Sequence, residues 1–179
     1  LYIRNDFATP ITVNNVTINM ESDSYYINWE ETDKPYTMPI KFEEIQNGNA
    51  NLTISNCTIN FNETDTYDED NEYQTIWGAF LRANTTFVNN TINIKGSQCV
   101  YGVVARGSNN IISNNTINSE CSGYYACGIN VESSNIANNT IENNYINVTA
   151  GYGENGNQNP HVAYGALILD YSYKGYKYV

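Results

Sequence analysis

The segment Ile112-Ser113-Asn114-Asn115-Thr116-Ile117 decides the fold, because four other segments of the chain repeat its pattern. The pattern is an apolar residue, any residue, Asn, any residue, Thr and Ile, and its other copies are Val13–Ile18, Ile54–Ile59, Phe87–Ile92 and Ile136–Ile141. The closing Ile residues stand at 18, 59, 92, 117 and 141, so successive copies are 41, 33, 25 and 24 residues apart. Such recurrence is typical of a solenoid, in which copies of one supersecondary unit stack on one another.

A second marker keeps the same period. A glycine followed by an apolar residue occurs in Trp77-Gly78-Ala79, Tyr101-Gly102-Val103, Cys127-Gly128-Ile129 and Tyr164-Gly165-Ala166. Asn, Thr, Val, Ile and Tyr dominate the repeats and favour strands and turns over helices. The unit therefore holds a Gly-led strand followed by the Asn-Thr-Ile strand. We predict an all-β fold, a right-handed parallel β-helix of the pectate-lyase-like kind, with about five to six coils and inserted loops.

Alternation along the Gly-led strands supports this fold, because successive strand residues point to opposite faces. When these strands are aligned in register, the columns predicted to point inward are uniformly apolar, whereas the outward columns are mixed. The inward columns hold Ala79, Leu81, Val103, Ala105, Ile129, Val131, Ala166 and Ile168.

The recurrent asparagines are predicted to form a structural ladder at one bend of the coil. Asn tolerates left-handed backbone angles, and stacked amides can hydrogen-bond along a column. The segment Ile141–Ile146 repeats the motif five residues after Ile136–Ile141, and the sequence leaves open which copy occupies the bend. The predicted ladder consists of Asn15, Asn56, Asn89, Asn114 and Asn138.

The whole chain, 1–179, is expected to be one β-helix domain and an excerpt of a longer protein. Three interruptions of the repeat are predicted insertions, at about 20–39, 61–76 and 150–161. Long loops on a rigid scaffold often carry function.

Aromatic side chains near loops and strand ends are candidates for stacking on sugar rings. The competing interpretation is that Tyr suits the outer face of a β-sheet. The candidate ligand-binding residues are Tyr25, Tyr26, Trp29, Tyr124, Tyr125 and Tyr164.

A calcium site is a further possibility, in the second insertion. Asp65, Asp68 and Asp70 cluster there, and carboxylate oxygens are the ligands that Ca²⁺ prefers. The segment lacks the glycine of a tight EF-type loop, so a solvated acidic loop is the competing interpretation. No other cofactor is expected.

Catalysis has little support in the sequence. His161 is the single histidine and has no obvious partner, and no nucleophile or phosphate-binding motif is present. The nearest approach to a catalytic group is the outward set Arg82, Arg106 and Glu132, which a cross-coil ion pair explains equally well.

The net charge of the chain limits the kinds of partner that it can bind. Lys and Arg total 8 against 19 Asp and Glu, giving a net charge of −11 that repels nucleic acid and anionic membranes. A polar, acidic surface rich in Asn and Tyr, with Asn-x-Thr glycosylation sequons, is common in extracellular proteins. We therefore expect an extracellular, cell-surface location, with no nucleic-acid partner and no membrane contact from this segment.

The units Ser108–Ile117 and Ser134–Ile141, with their leading Gly102 and Gly128, resemble the parallel β-helix repeats of adhesin-like surface proteins of methanogenic archaea. The resemblance covers about residues 77–148 well and 10–60 loosely. It implies an extracellular β-helix that displays a binding surface, with glycans or another cell's surface as partner. We expect a non-catalytic adhesin-like or structural segment. The alternative is a carbohydrate-active polysaccharide lyase or hydrolase domain, since such enzymes share the repeat.

Overall fold

The computed structural model describes residues 1–5, 9–22, 36–37, 40–44, 51–63, 75–123, 125–133, 138–151 and 162–170. Within these ranges the regular structure is β-strand. In chain order the strands are β1 (Tyr2–Asn5), β2 (Ile11–Asn14), β3 (Thr17–Ser22), β4 (Tyr36–Thr37), β5 (Ile40–Glu44), β6 (Leu52–Ser55), β7 (Thr58–Glu63), β8 (Thr75–Leu81), β9 (Thr85–Val88), β10 (Thr91–Gly96), β11 (Cys99–Arg106), β12 (Ile111–Ser113), β13 (Thr116–Cys121), β14 (Tyr125–Ser133), β15 (Thr140–Glu142), β16 (Tyr145–Ala150) and β17 (Val162–Asp170).

These strands form three sheets in which every described pairing is parallel. Sheet A has the order β1-β5-β8-β11-β14-β17, with β4 beside β8. Sheet B has the order β15-β12-β9-β6-β2, and sheet C has the order β16-β13-β10-β7-β3. The chain visits A, B and C in turn and then returns to A one position along. This is a parallel β-helix of about four to five coils, and it confirms the all-β solenoid predicted from the repeat.

Each coil contains three strands rather than a pair, because the repeated motif bends in its middle. In the copy Ile112–Ile117, β12 ends at Ser113 and β13 begins at Thr116, so the two asparagines between them form the corner from sheet B to sheet C. The apolar residue that opens the motif and the Ile that closes it therefore belong to different sheets.

Apolar columns fill the interior. Ile59, Ile92 and Ile117 are direct partners on adjacent coils of sheet C, and all three are fully buried. On sheet A the inward columns continue through Val103 and Ile129 as predicted. At the edge strand β17, Ile168 packs against the core only partly, and Ala166 is exposed.

The recurrent glycines are required by close packing between coils. A Cβ built on Gly78 would lie 2.6 Å from the carbonyl oxygen of Gly102 and 2.9 Å from Cγ2 of Ile92. Real Cβ atoms essentially never come that close, so the chain can approach the core at this point only without a side chain. A Cβ on Gly102 or Gly128, one and two coils further on, would likewise collide with a glycine carbonyl oxygen and with an isoleucine Cγ2.

Two separate corners use asparagine in the left-handed conformation. The corner from sheet B to sheet C is formed by Asn15, Asn56, Asn89, Asn114 and Asn143, with φ of 59°, 54°, 58°, 55° and 55°. The corner from sheet A to sheet B is formed by Asn84, Asn109 and Asn138, with φ of 58°, 60° and 61°.

The prediction that Asn138 shares a corner with Asn15, Asn56, Asn89 and Asn114 is therefore wrong; Asn143 takes that place. Ile112 pairs with Ile141, and Ile117 pairs with Ile146, so Asn143 stacks on Asn114. The spacing explains the shift: Asn109 and Asn138 are 29 residues apart, against 25 for Asn84 and Asn109. The four extra residues precede Asn138 and move the following coil's B-to-C corner onward.

The three predicted insertions lie mostly outside the described residues. Their margins are strands: β3 runs to Ser22, β7 runs to Glu63, and β8 begins at Thr75.

Candidate functional site

The outer face of sheet C carries a groove of about 760 Å³ that crosses all five strands of this sheet. The inward positions of these strands hold the isoleucine column, so the residues on either side of each isoleucine face outward. The central outward column consists of asparagines, one from each coil. They are Asn19, Asn60, Asn93, Asn118 and Asn147.

The asparagines of this groove form a hydrogen-bonded ladder with one direction. The Nδ2 of Asn60 donates to Oδ1 of Asn19 at 2.8 Å, Asn93 donates to Asn60 at 2.8 Å, and Asn118 donates to Asn93 at 2.7 Å. Each inner amide uses one N–H and one oxygen lone pair in the ladder. It retains one N–H and one lone pair for a ligand.

A second outward column, two residues after the asparagines on each strand, carries the charges of the groove. Lys95 lies between Asn62 and Glu120 on neighbouring coils, and its Nζ is 2.8 Å from Oε1 of Glu120. Both side chains are 54% exposed, so this ion pair contributes little to stability. With Glu21 at one end and Thr149 at the other, the column has a small negative excess.

On the other side of the asparagines, the outer face of sheet C carries the threonine column that begins each C strand. Its last position is occupied by Tyr145, which pairs with Thr116 and is 66% exposed. An exposed aromatic ring thus stands at the end of the polar columns, on the same face as Asn147.

A second, buried amide ladder holds the corner beside the groove. Asn90, Asn115 and Asn144 each follow a left-handed asparagine; the first two are buried and Asn144, at the last described coil, is half-buried. The Oδ1 of Asn115 accepts from the backbone N–H of Asn90 at 2.9 Å, and its Nδ2 donates to Oδ1 of Asn144 at 2.9 Å and to the carbonyl of Phe87 at 3.0 Å.

The sequence predicts amide stacking along the left-handed asparagines of the B-to-C corner, but the amide ladder at this corner joins the next residues, Asn90, Asn115 and Asn144. The left-handed Asn15, Asn56, Asn89 and Asn114 shape the corner, but their side chains are exposed. The Nδ2 of Asn56, for example, donates to Oδ1 of Asn14 at 2.8 Å and not to Asn15. The signal for the buried ladder was the Asn-Asn doublet, in which the second residue is the one that turns inward.

Two of the aromatic candidates are described, and they lie together on the outer face of sheet A. Tyr125 packs between Tyr101 and Tyr164, with ring centroids 5.1 and 5.6 Å apart and tilted by 37° and 48°. Burial, followed by the neighbouring Cys127, raises the pKa of Tyr125 far above its ordinary range. This phenol is a packed, neutral group. Tyr25, Tyr26, Trp29 and Tyr124 lie outside the described residues, as do the calcium candidates Asp65, Asp68 and Asp70.

The outward Arg82 and Arg106 lie over a small aromatic cluster, and Glu132 pairs with Arg106. Arg106 donates from Nε to Oε1 of Glu132 at 2.6 Å, and its guanidinium carbon lies 5.4 Å from the ring centroid of Trp77 and 5.3 Å from that of Phe80. The carboxylate is therefore held in a cross-coil ion pair. Among the described residues, no group of three His, Cys, Asp or Glu could hold a metal ion.

The four cysteines are free thiols. Cys57, Cys121 and Cys127 are buried and Cys99 is half-buried. Burial, with a smaller contribution from Cys121, raises the pKa of Cys99 to about 11, and burial raises that of Cys127 to about 12. Thiols with such pKa values are protonated at neutral pH and are poor nucleophiles.

Comparisons of the chain with protein-family models, with curated proteins and with solved structures find no match. In the part of the chain that the structure describes, there is also no helix of the length and apolarity needed to cross a membrane.

Proposed function

We propose that this chain is a non-catalytic, adhesin-like segment of an extracellular cell-surface protein, and that it binds glycans through the groove on sheet C. The observation that carries the proposal is the unbroken amide column, which offers equivalent hydrogen-bonding groups on successive coils.

The chemistry of the groove suits sugars. A carboxamide donates and accepts at neighbouring atoms, so one amide can bind two adjacent hydroxyl groups. The exposed ring of Tyr145 supplies the apolar platform on which the flat face of a sugar ring stacks. Because each amide offers only neutral hydrogen bonds, we expect weak single contacts that gain strength when many copies are displayed on one surface.

The surface location and the adhesive role rest on the resemblance to archaeal adhesin-like repeats and on the acidic, sequon-bearing composition. A rigid solenoid suits this role, because its binding face keeps its geometry when it projects from a cell.

The test is a glycan array probed with the purified chain, followed by titration of the best hits. Asn93→Ala and Asn118→Ala should each weaken binding, because they interrupt the amide column. Thr86→Ala is the matched control, since Thr86 lies on the outer side of sheet B and away from the groove. Absence of binding to any glycan would exclude the proposal. Release of reducing or unsaturated ends from a bound polysaccharide would replace it with the lyase or hydrolase alternative.

A further inference from the structure

We propose that the groove on sheet C takes a linear, uncharged glycan that lies along the axis of the β-helix, with about one sugar ring on each coil. This inference rests on the proposed glycan-binding function and specifies its ligand.

The register of the asparagine column supports this arrangement. Asn60, Asn93 and Asn118 are direct partners on consecutive coils, and Asn19 and Asn147 extend the column at either end. Parallel strands lie about 4.8 Å apart, so the five amides repeat at this interval over about 19 Å. A ligand that uses all of them must repeat its polar groups at nearly the same interval.

An extended peptide does not meet this condition. It advances about 3.3 Å per residue, and its side chains return to the same side only at about 6.6 Å, so its groups fall out of register with coils that are about 4.8 Å apart. An extended chain of equatorially linked hexopyranose rings advances by only slightly more than the strand spacing per ring. It also presents hydroxyl groups on every ring, so it keeps register with the amides over several coils.

The single direction of the amide ladder also suits a polymer. Each described ladder bond runs from Nδ2 of one coil to Oδ1 of the coil before it, at 2.7 to 2.8 Å. The remaining N–H and lone pair of each inner amide therefore have the same arrangement on each coil. Each ring of such a polymer can place a hydroxyl group against one amide, with alternate rings using opposite edges because successive β-1,4-linked rings are turned over.

The charge of the groove favours an uncharged ligand. The only described lysine of the groove, Lys95, is already paired with Glu120, while Glu21 adds a negative charge at one end. The chain as a whole carries −11. A polymer of uronates or sulfated sugars would be repelled, and an uncharged one would not.

The inference is tested by calorimetric titration with β-1,4-linked glucose and N-acetylglucosamine oligomers of increasing length, from a single ring upward, beside oligogalacturonates of the same lengths. For the uncharged series we expect affinity to rise roughly threefold to tenfold per ring, since each ring adds neutral hydrogen bonds, and to level off near the length of the five-coil column. The acidic series should bind more weakly at every length.

Asn93→Asp provides the matched perturbation at the centre of the column. The aspartate cannot donate to Asn60 and adds a negative charge. Because only two asparagines then remain on either side, we expect the affinity to stop rising with oligomer length at two rings. Asn51→Asp makes the same chemical change at an exposed position before β6 and should leave the length dependence unchanged.

The outcomes separate the two proposals. If array glycans bind but affinity is already constant from one or two rings, the axial arrangement is wrong. If acidic oligomers bind more tightly than uncharged ones, the assignment of an uncharged ligand is wrong. In both cases the glycan-binding function stands. If no glycan on the array or in the titration series binds, both are wrong.

Discussion

Asn90 and Asn115 lie one coil apart, and Oδ1 of Asn115 accepts both the backbone N–H of Asn90, at 2.9 Å, and its side-chain Nδ2, at 3.1 Å. Both residues are 1% exposed. A polar side chain at this depth is tolerated only because its hydrogen bonds are made. The corner beside the groove thus depends on a chain of amides, in which each residue satisfies the backbone of its neighbour.

Replacing Asn115 with Ala should destabilise the fold by about 2–4 kcal/mol, because it leaves the N–H of Asn90 and the carbonyl of Phe87 buried without this partner. Urea denaturation of the purified chain measures the loss. Asn51→Ala, at an exposed position, should cost less than about 0.5 kcal/mol. Equal losses in the two variants would mean that the buried ladder contributes nothing specific.

Substitutions at Asn114 should separate backbone conformation from burial. Its φ is 55° and its side chain is exposed. Asn114→Gly should change stability by less than about 0.5 kcal/mol, since glycine adopts this conformation freely, whereas Asn114→Val should cost about 1–2 kcal/mol. Thermal unfolding compares them, with Thr116→Val on the adjoining strand as the control for adding a β-branched apolar residue. A valine at 114 that unfolds at the wild-type temperature would contradict the assignment of strain.

Alanine should destabilise the protein at one of two equivalent glycines and be tolerated at the other. A Cβ on Gly102 would lie 2.5 Å from the carbonyl oxygen of Gly128 and would collide with Cγ2 of Ile117, whereas a Cβ on Gly165 meets nothing within 4 Å. Gly102→Ala should therefore cost about 1–3 kcal/mol, and Gly165→Ala should be close to neutral. Chemical denaturation of both variants gives the comparison, and a tolerated alanine at 102 would exclude the close packing described for the coils.

Stability should fall on the alkaline side. Burial raises the pKa of Cys127 from 9.0 to about 12 and that of Cys99 from 9.0 to about 11. The folded state thus favours the protonated thiols, and their contribution is fully present below pH 9 and is lost as the pH rises through 11 toward 12.

The urea midpoint, measured under reducing conditions between pH 8 and pH 11, should decrease above about pH 9. In the double variant Cys99→Ala/Cys127→Ala this decrease should be smaller, because two of the groups that link folding to proton binding are gone. An unchanged slope would show that these thiols do not contribute to the alkaline loss.

Much of the fold follows from the sequence, since the isoleucine and glycine columns repeat at a nearly constant period. The interior pairs Val103–Ile129 and Ile92–Ile117 follow from strand alternation once the period is known. The motif also marks the corner, because few residues besides asparagine accept a left-handed backbone.

The groove was harder to predict. Its central residues Asn93 and Asn118 follow the motif's Ile directly, but the motif as defined stops at that Ile. Tyr145 was likewise unpredicted, because it begins a strand of sheet C only if the last corner is at Asn143.

By itself, the sequence determined that the chain winds into a stacked all-β solenoid, because a repeated apolar period can be buried only by laying identical units on one another. Only the tertiary structure decided which asparagine serves which corner. Asn138-Asn139-Thr140-Ile141 satisfies the local requirements of both corners, and the choice depends on pairing Ile117 with Ile146 across coils. The direction of the amide ladder also depends on the tertiary structure, since asparagines of different coils can hydrogen-bond only after the coils are in register.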